Sequence, residues 1–352
     1  MIRAVPAVAS MTGYALADLG DSKAISLAQN ESAFPPSPKA LAAGQKALAD
    51  SALYPDPDWH ELRAILAETY PVNAETILCG AGSMELIGCL IRAFAGPGDA
   101  VAGTQYGYLF AATATQQSGA AYVKAPEPDL SVCIDAVLKS VTEATRIVFV
   151  CNPGNPTGTR VPNDELLRLR ASLPENVLLV IDQAYGEFDD QNHAPVFDLV
   201  HAGDTVVTRS LSKAYGLAGA RVGWGAFPAA IGAEVRKLLN PNNVSAASQA
   251  MACAALRDQG YMRDVVAQTA ARRDGLRDRL RAAGFDVPPS ATNFLLIRFA
   301  SEAKAKAADA ELRAGGLMLR GMGGYGLPDC LRASVGSEEA MSRLGDILEK
   351  TA

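Results

Sequence analysis

Residues 209–224 read RSLSKAYGLAGARVGW and set one lysine, Lys213, among apolar and glycine neighbours. An ammonium group buried in such company costs several kcal/mol unless it is neutralised or consumed by chemistry. The same stretch supplies hydroxyls from Ser210 and Ser212 and a guanidinium from Arg221. Hydroxyls, a guanidinium and backbone N–H groups in one small volume suit a phosphate dianion. A second anion site is offered by GAGSME at 80–85, where Gly82, Ser83 and Met84 form a glycine-rich turn opening a helix. Taken alone, that turn could be purely structural.

Asp182 ends the apolar run NVLLVIDQAY. An unpaired carboxylate there would be costly, and a protonated pyridine nitrogen is one cation that removes the penalty. A helix N-cap is the other reading of this aspartate. Asn155, inside NPGNPTG, and Tyr185, inside DQAY, are hydrogen-bonding groups at neighbouring strand ends. Turn formation accounts for the asparagine equally well if it is taken singly. A phosphate site, a carboxylate for a ring nitrogen and a lysine placed for an imine together describe pyridoxal phosphate. That cofactor is an electron sink carried on a lysine Schiff base.

These groups need a scaffold that gathers them. From about residue 75 to 227, apolar β-rich runs (TRIVFVCNP, NVLLVIDQAY, DTVVTRSLS) alternate with helical stretches. Continuous Val/Ile/Leu runs between helices predict buried, largely parallel strands in a doubly wound α/β layer. Ligands in such sheets sit beyond the carboxyl ends of the strands, where NPGNPTG, DQAY and the Lys213 stretch all fall. A long amphipathic helix is predicted over 257–283. NFLLIRF, an Ala/Glu-rich helix, GLMLRGM, DCLRASV and a closing helix then predict a smaller α+β domain.

Composition narrows the function further. The 352 residues carry a net charge of −6 and are 49% hydrophobic, an ordinary globular balance that argues against a nucleic-acid partner. Arg272, Arg273, Arg277, Arg279 and Arg281 cluster, but Asp274 and Asp278 interleave them, as on a solvated helix face. The six cysteines form no CxxC pair, as expected of reduced cytosolic thiols, and three dispersed histidines predict no metal site. MIRAVPAVASMTGY is broken by proline and glycine, against a signal peptide, and no run is long enough to span a membrane. A cytoplasmic location is therefore expected.

SLSKAYGLAGARVG, NPGNPTG, DQAY and YPDPDWHELR together resemble the class I/II aminotransferases of the fold-type I pyridoxal-phosphate enzymes, most closely their histidinol-phosphate subgroup. The resemblance runs from about Tyr14 to Arg332. It implies a large cofactor domain (36–256) with a mostly parallel seven-stranded sheet, a small C-terminal domain (257–352) and an N-terminal arm (1–35). The arm would pack with the small domain and the partner subunit of a homodimer. By resemblance Lys213 carries pyridoxal 5'-phosphate as a Schiff base, while Ser210, Ser212, Arg221 and the Gly82–Ser83–Met84 turn hold its phosphate. Asp182 would meet the ring nitrogen, Asn155 and Tyr185 the ring oxygen, and Tyr106 would stack on the ring. Tyr54 would reach the neighbouring subunit's phosphate. Arg332 would grip the substrate carboxylate or its equivalent, and Arg320 and Tyr14 the substrate's phosphate end.

The resemblance implies transfer of an amino group from histidinol phosphate or an aromatic amino acid to a 2-oxo acid such as 2-oxoglutarate. A threonine-phosphate decarboxylase of similar sequence is the alternative. A nicotinamide-dependent dehydrogenase is remote, because GAGSM lacks a complete GxGxxG and its distal acid. The chain departs from the subgroup at Ser32 and Ala33, Gln183, Met84 and Thr104, positions expected at the pocket rim.

Overall fold

The computed structural model describes residues 2–11, 24–191 and 194–351. Its strands are β1 (Ile25–Ser26), β2 (Ile77–Gly80), β3 (Ala100–Thr104), β4 (Ala121–Ala125), β5 (Thr145–Cys151), β6 (Leu178–Asp182), β7 (Thr205–Ser210), β8 (Gly223–Ala226), β9 (Phe294–Arg298), β10 (Leu317–Met318), β11 (Arg320–Gly321) and β12 (Cys330–Ser334). Seven of them form the central sheet in the order β2-β8-β7-β6-β5-β3-β4. β3 through β7 pair in parallel, and β8 runs antiparallel to both its neighbours. The expected doubly wound α/β architecture is the one observed.

The sequence explains why these strands are central. All of β6 is buried, and so is all of β5 except Arg146, as their unbroken Val/Ile/Leu runs require of strands covered on both faces. Helix Ser83–Phe94 lays Leu86, Ile87, Leu90 and Ile91 against this layer. Parallel register aligns the strand ends. Cys151 pairs with Asp182, and Asp182 with Thr208, so the last residues of β5 and β6 lie one rung apart just below Ser210.

A second core gathers Leu27, Leu276, Leu280, Ile297, Leu312, Leu317 and Leu344 around the antiparallel sheet β11-β12-β9. Helix Gln259–Ala282 joins the cores: Met262 and Val266 pack on the first, Leu276 and Leu280 in the second. β1 pairs with β10 and so ties residues 25–26 to the second core. One part of the arginine cluster departs from a solvated face. Arg273 is buried and donates to the Thr292 carbonyl at 3.0 Å.

Candidate active site

Beyond the carboxyl ends of β5, β6 and β7 lies a cavity of about 430 Å³. Its walls carry Lys213, Asp182, Asn155, Tyr185, Ser210, Ser212, Arg221, Arg320, Arg332 and the Gly82–Ser83–Met84 turn. Residues spread over 250 positions of sequence thus meet in one volume, because the sheet order brings their strands side by side.

One end is built for an anion. Gly82, with φ +83°, caps helix Ser83–Phe94, whose first-turn N–H groups and dipole favour negative charge. A Cβ on Gly82 would stand 2.5 Å from Arg221 Nη2, and one on Gly223 would stand 2.2 Å from the Ser83 nitrogen. Both glycines are needed for the turn, β8 and the guanidinium to converge. Arg221 itself has φ +56° and donates from Nη1 to the Ala218 carbonyl at 3.0 Å. Ser210 Oγ accepts from the Ser212 N–H at 3.1 Å, which fixes the hydroxyl pair beside it.

The floor carries Asp182, 2% exposed. Its Oδ1 accepts from Thr208 Oγ1 at 2.8 Å, and the Cys151 thiol lies 3.9 Å from Oδ2. Burial raises this carboxyl to about 6, against the hydrogen bonds that favour its ionised form. A cation facing it would restore ionisation.

Lys213 Nζ donates to the Asn30 carbonyl at 3.0 Å and stands 5.8 Å from the centre of the Tyr185 ring. Burial, then the positive charge of Arg332, lowers this ammonium to about 8. Tyr185 is buried edge-on to Phe294, and its hydroxyl accepts from Asn30 Nδ2 at 2.8 Å. Arg332 Nη1 donates to Asn155 Oδ1 at 2.6 Å and Nη2 to the Ala28 carbonyl at 3.0 Å. Its buried Nε–H has no protein partner.

This set fits pyridoxal phosphate. It has an anion cup, a buried carboxylate, a lysine of lowered basicity and hydrogen-bonding groups between them.

Tyr106 does not line the cavity; Tyr108, two residues on, does. The Tyr106 N–H is held by the buried Glu127 at 3.0 Å, and its ring packs on the cluster of Leu130, Leu296 and Met322. Tyr54 is 89% exposed and outside the cavity. Tyr14 falls outside the described residues. The departures from the subgroup are not all at the rim either. Gln183 is fully buried behind the site, and Thr104 is buried against Glu127. Sequence reasoning also missed Asn30, Thr208 and Cys151, which hold Lys213, Tyr185 and Asp182. For Cys151 and Thr208 the signal was present, since register places both beside Asp182.

The fold and the cavity together define a pyridoxal-phosphate-dependent transaminase of fold type I, acting on small-molecule amines and 2-oxo acids. Residues 22–348 match the family model for aminotransferase class I and II, and the chain belongs to that family. It is 42% identical to a histidinol-phosphate aminotransferase of Paramagnetospirillum magneticum, over 91% of this chain and 89% of that one. Its identity to the protein of the same name from Jannaschia sp. is 41%, over 96% and 94%. A crystal structure of histidinol-phosphate aminotransferase from Sinorhizobium meliloti in complex with pyridoxal-5'-phosphate matches with a TM-score of 0.93 at 29% identity, covering 100% of this chain and 98% of that one.

Proposed function

We propose that this transaminase takes histidinol phosphate as its amine donor and a 2-oxo acid such as 2-oxoglutarate as acceptor. The observation that carries the proposal is a cavity with two guanidiniums, Arg320 and Arg332, beyond the anion cup of Arg221. One suits the carboxylate of a 2-oxo acid and the other the phosphate end of the donor. The names of the curated relatives point the same way.

Bound pyridoxal phosphate supplies the electron sink for the pair left when the donor's Cα proton is removed. Ser210, Ser212, Arg221 and the amides of 82–84 would hold its phosphate, and Lys213 its aldehyde carbon. Asp182 would keep a proton on the ring nitrogen, and Asn155 and Tyr185 would hold the ring oxygen. Tyr106, and Tyr108 in the cavity wall, would flank the cofactor ring. Lys213, lowered to about 8, has a substantial neutral fraction near pH 8 and so can take the Cα proton and return it. Arg332, already oriented by Asn155 and Ala28, presents its remaining N–H edge to a carboxylate.

The active unit in this reading is a cytoplasmic homodimer. Tyr54, Leu41, Leu48 and Leu53 are exposed on one chain, and a second copy would cover them. In the same reading the arm ends near residue 35 and the small domain begins at 257, with Met262, Val266 and Phe294 of that domain packing on the first core and Leu27 of the arm on the second.

A donor screen tests the substrate. Histidinol phosphate, phenylalanine, tyrosine and threonine phosphate are each supplied with 2-oxoglutarate, and glutamate and CO2 are measured. Glutamate formed fastest from histidinol phosphate is expected. Turnover with the aromatic amino acids alone would replace that donor, and CO2 from threonine phosphate would replace the reaction.

A further inference from the structure

Asn30 sits at a junction that the cofactor chemistry alone does not require. It is 2% exposed and has φ +54°, a left-handed backbone that asparagine tolerates better than most residues. Every polar group it carries is engaged. Its carbonyl accepts from Lys213 Nζ at 3.0 Å and from Asn293 Nδ2 at 3.1 Å, one donor for each lone pair. Its N–H donates to Ser334 Oγ at 2.8 Å, and its Nδ2 donates to the Tyr185 hydroxyl at 2.8 Å. Ser334 Oγ donates back to Asn30 Oδ1 at 3.5 Å, which orients the carboxamide with nitrogen toward Tyr185.

These partners come from both cores. Lys213 and Tyr185 belong to the first core's layer, and Asn293 and Ser334 flank or end the strands β9 and β12 of the second. The left-handed turn at Asn30 is what lets one residue face both ways, carbonyl to the lysine and carboxamide to the tyrosine. With the Tyr185 oxygen accepting from Asn30, the phenol's own proton is left to donate elsewhere.

We propose that Asn30 is the positioning residue of this site: its backbone carbonyl holds the Lys213 amine whenever that amine is not bonded to the cofactor, and its carboxamide aims Tyr185. The inference rests on the reading of Lys213 and Tyr185 as cofactor-site residues. Its consequence is that the two contacts separate by substitution. Asn30→Gly keeps the left-handed backbone, and with it the carbonyl on Lys213, but removes the bond to Tyr185. Asn30→Ala removes that bond and also strains the left-handed backbone, which releases the carbonyl.

The test uses the full chain, freed of cofactor and then reloaded. Trace labelling of the apoprotein with acetic anhydride across pH, read by peptide mass, gives the titration midpoint of Lys213. Asn30→Gly should leave that midpoint at the wild-type value, whereas Asn30→Ala should lower it by about half a unit or more, because the ammonium loses its acceptor. On reloading, the pH midpoint of the bound cofactor's absorbance should move in both variants, because Tyr185 has lost its donor in both. A wild-type Lys213 midpoint in Asn30→Ala, or an Asn30→Gly midpoint shifted as far as that of Asn30→Ala, would overturn the hold on the lysine. Should Asn30→Ala not fold, Asn30→Gly decides alone: an unmoved Lys213 with a moved absorbance supports the inference, and the reverse contradicts it. Cofactor loading should also shield Lys213 in the wild type. Its failure to do so would remove the underlying reading of the site, while the apoprotein midpoints would still decide whether Asn30 holds the lysine.

Discussion

At the scale of single residues, the site rests on two groups whose ionisation is opposed by burial. Asp182 is raised from 3.8 to about 6, so between those values the folded apoprotein holds a proton that the unfolded chain has lost. Apoprotein stability should therefore fall as pH rises through that window, and a pH series of denaturant midpoints measures it. Asp182→Asn keeps an acceptor for Thr208 Oγ1 and removes the buried charge. The apoprotein of this variant should melt higher than wild type at pH 7–8, while the loaded enzyme's kcat drops about a hundredfold, roughly 2.7 kcal/mol of barrier. An unchanged kcat would remove the role given to this carboxylate.

The residue scale is also where the sequence was most and least legible. Lys213, Ser210, Ser212 and Arg221 lie in one contiguous stretch, so their meeting could be read directly. Tyr106 and Tyr108 lie two residues apart, and the sequence did not show that Glu127 holds the backbone at 106 or that 108 lines the cavity. Asn30 was beyond reach for a different reason. Its partners lie 155 to 304 positions away, and no local pattern marks a left-handed asparagine in an arm.

At the scale of elements, the anion cup depends on how closely a turn, a strand and a guanidinium approach. Gly82→Ala adds a methyl 2.5 Å from the movable end of Arg221, at a φ that L side chains rarely adopt. Cofactor affinity, measured by fluorescence titration of the apoprotein, should weaken about tenfold or more, because the phosphate cup is displaced. The fold should survive, since the neighbour is a flexible side chain. Gly223→Ala is harsher, because its methyl would meet backbone at 2.2 Å. Behind the same strand ends, the ion pair of Arg209 with Glu187 at 3.2 Å is almost wholly buried, and the Arg209 guanidinium lies 4.9 Å over the Tyr70 ring. Arg209→Met alone should destabilise by about 3–5 kcal/mol, since it strands a buried carboxylate. Arg209→Met with Glu187→Leu should cost less than that single change in urea unfolding. The strands themselves were legible from their apolar runs. This buried charge network was not, because Arg209 and Glu187 read as ordinary polar residues until register and turn bring them together.

At the scale of the whole molecule, the two cores are bridged by helix Gln259–Ala282, and β1 is paired to β10, so the Asn30 arm is held by the second core while it touches the first. No helix among the described residues is long and apolar enough to cross a membrane. The proposed shared-site homodimer makes a complementation prediction. Lys213→Ala chains mixed with Tyr54→Ala chains should form hybrid dimers with one intact site, and so regain activity that neither parent has at full level. An unchanged sum of the two parents' rates would argue that Tyr54 serves no neighbour.

Lys213 as the cofactor's anchor underlies every role given above. Borohydride reduction of the loaded enzyme, followed by peptide mass mapping, tests it most directly. One pyridoxyl adduct per chain is expected, on the peptide carrying Lys213, and none in Lys213→Ala. An adduct on a different lysine, or Lys213→Ala protein that still transaminates near the wild-type rate, would contradict it.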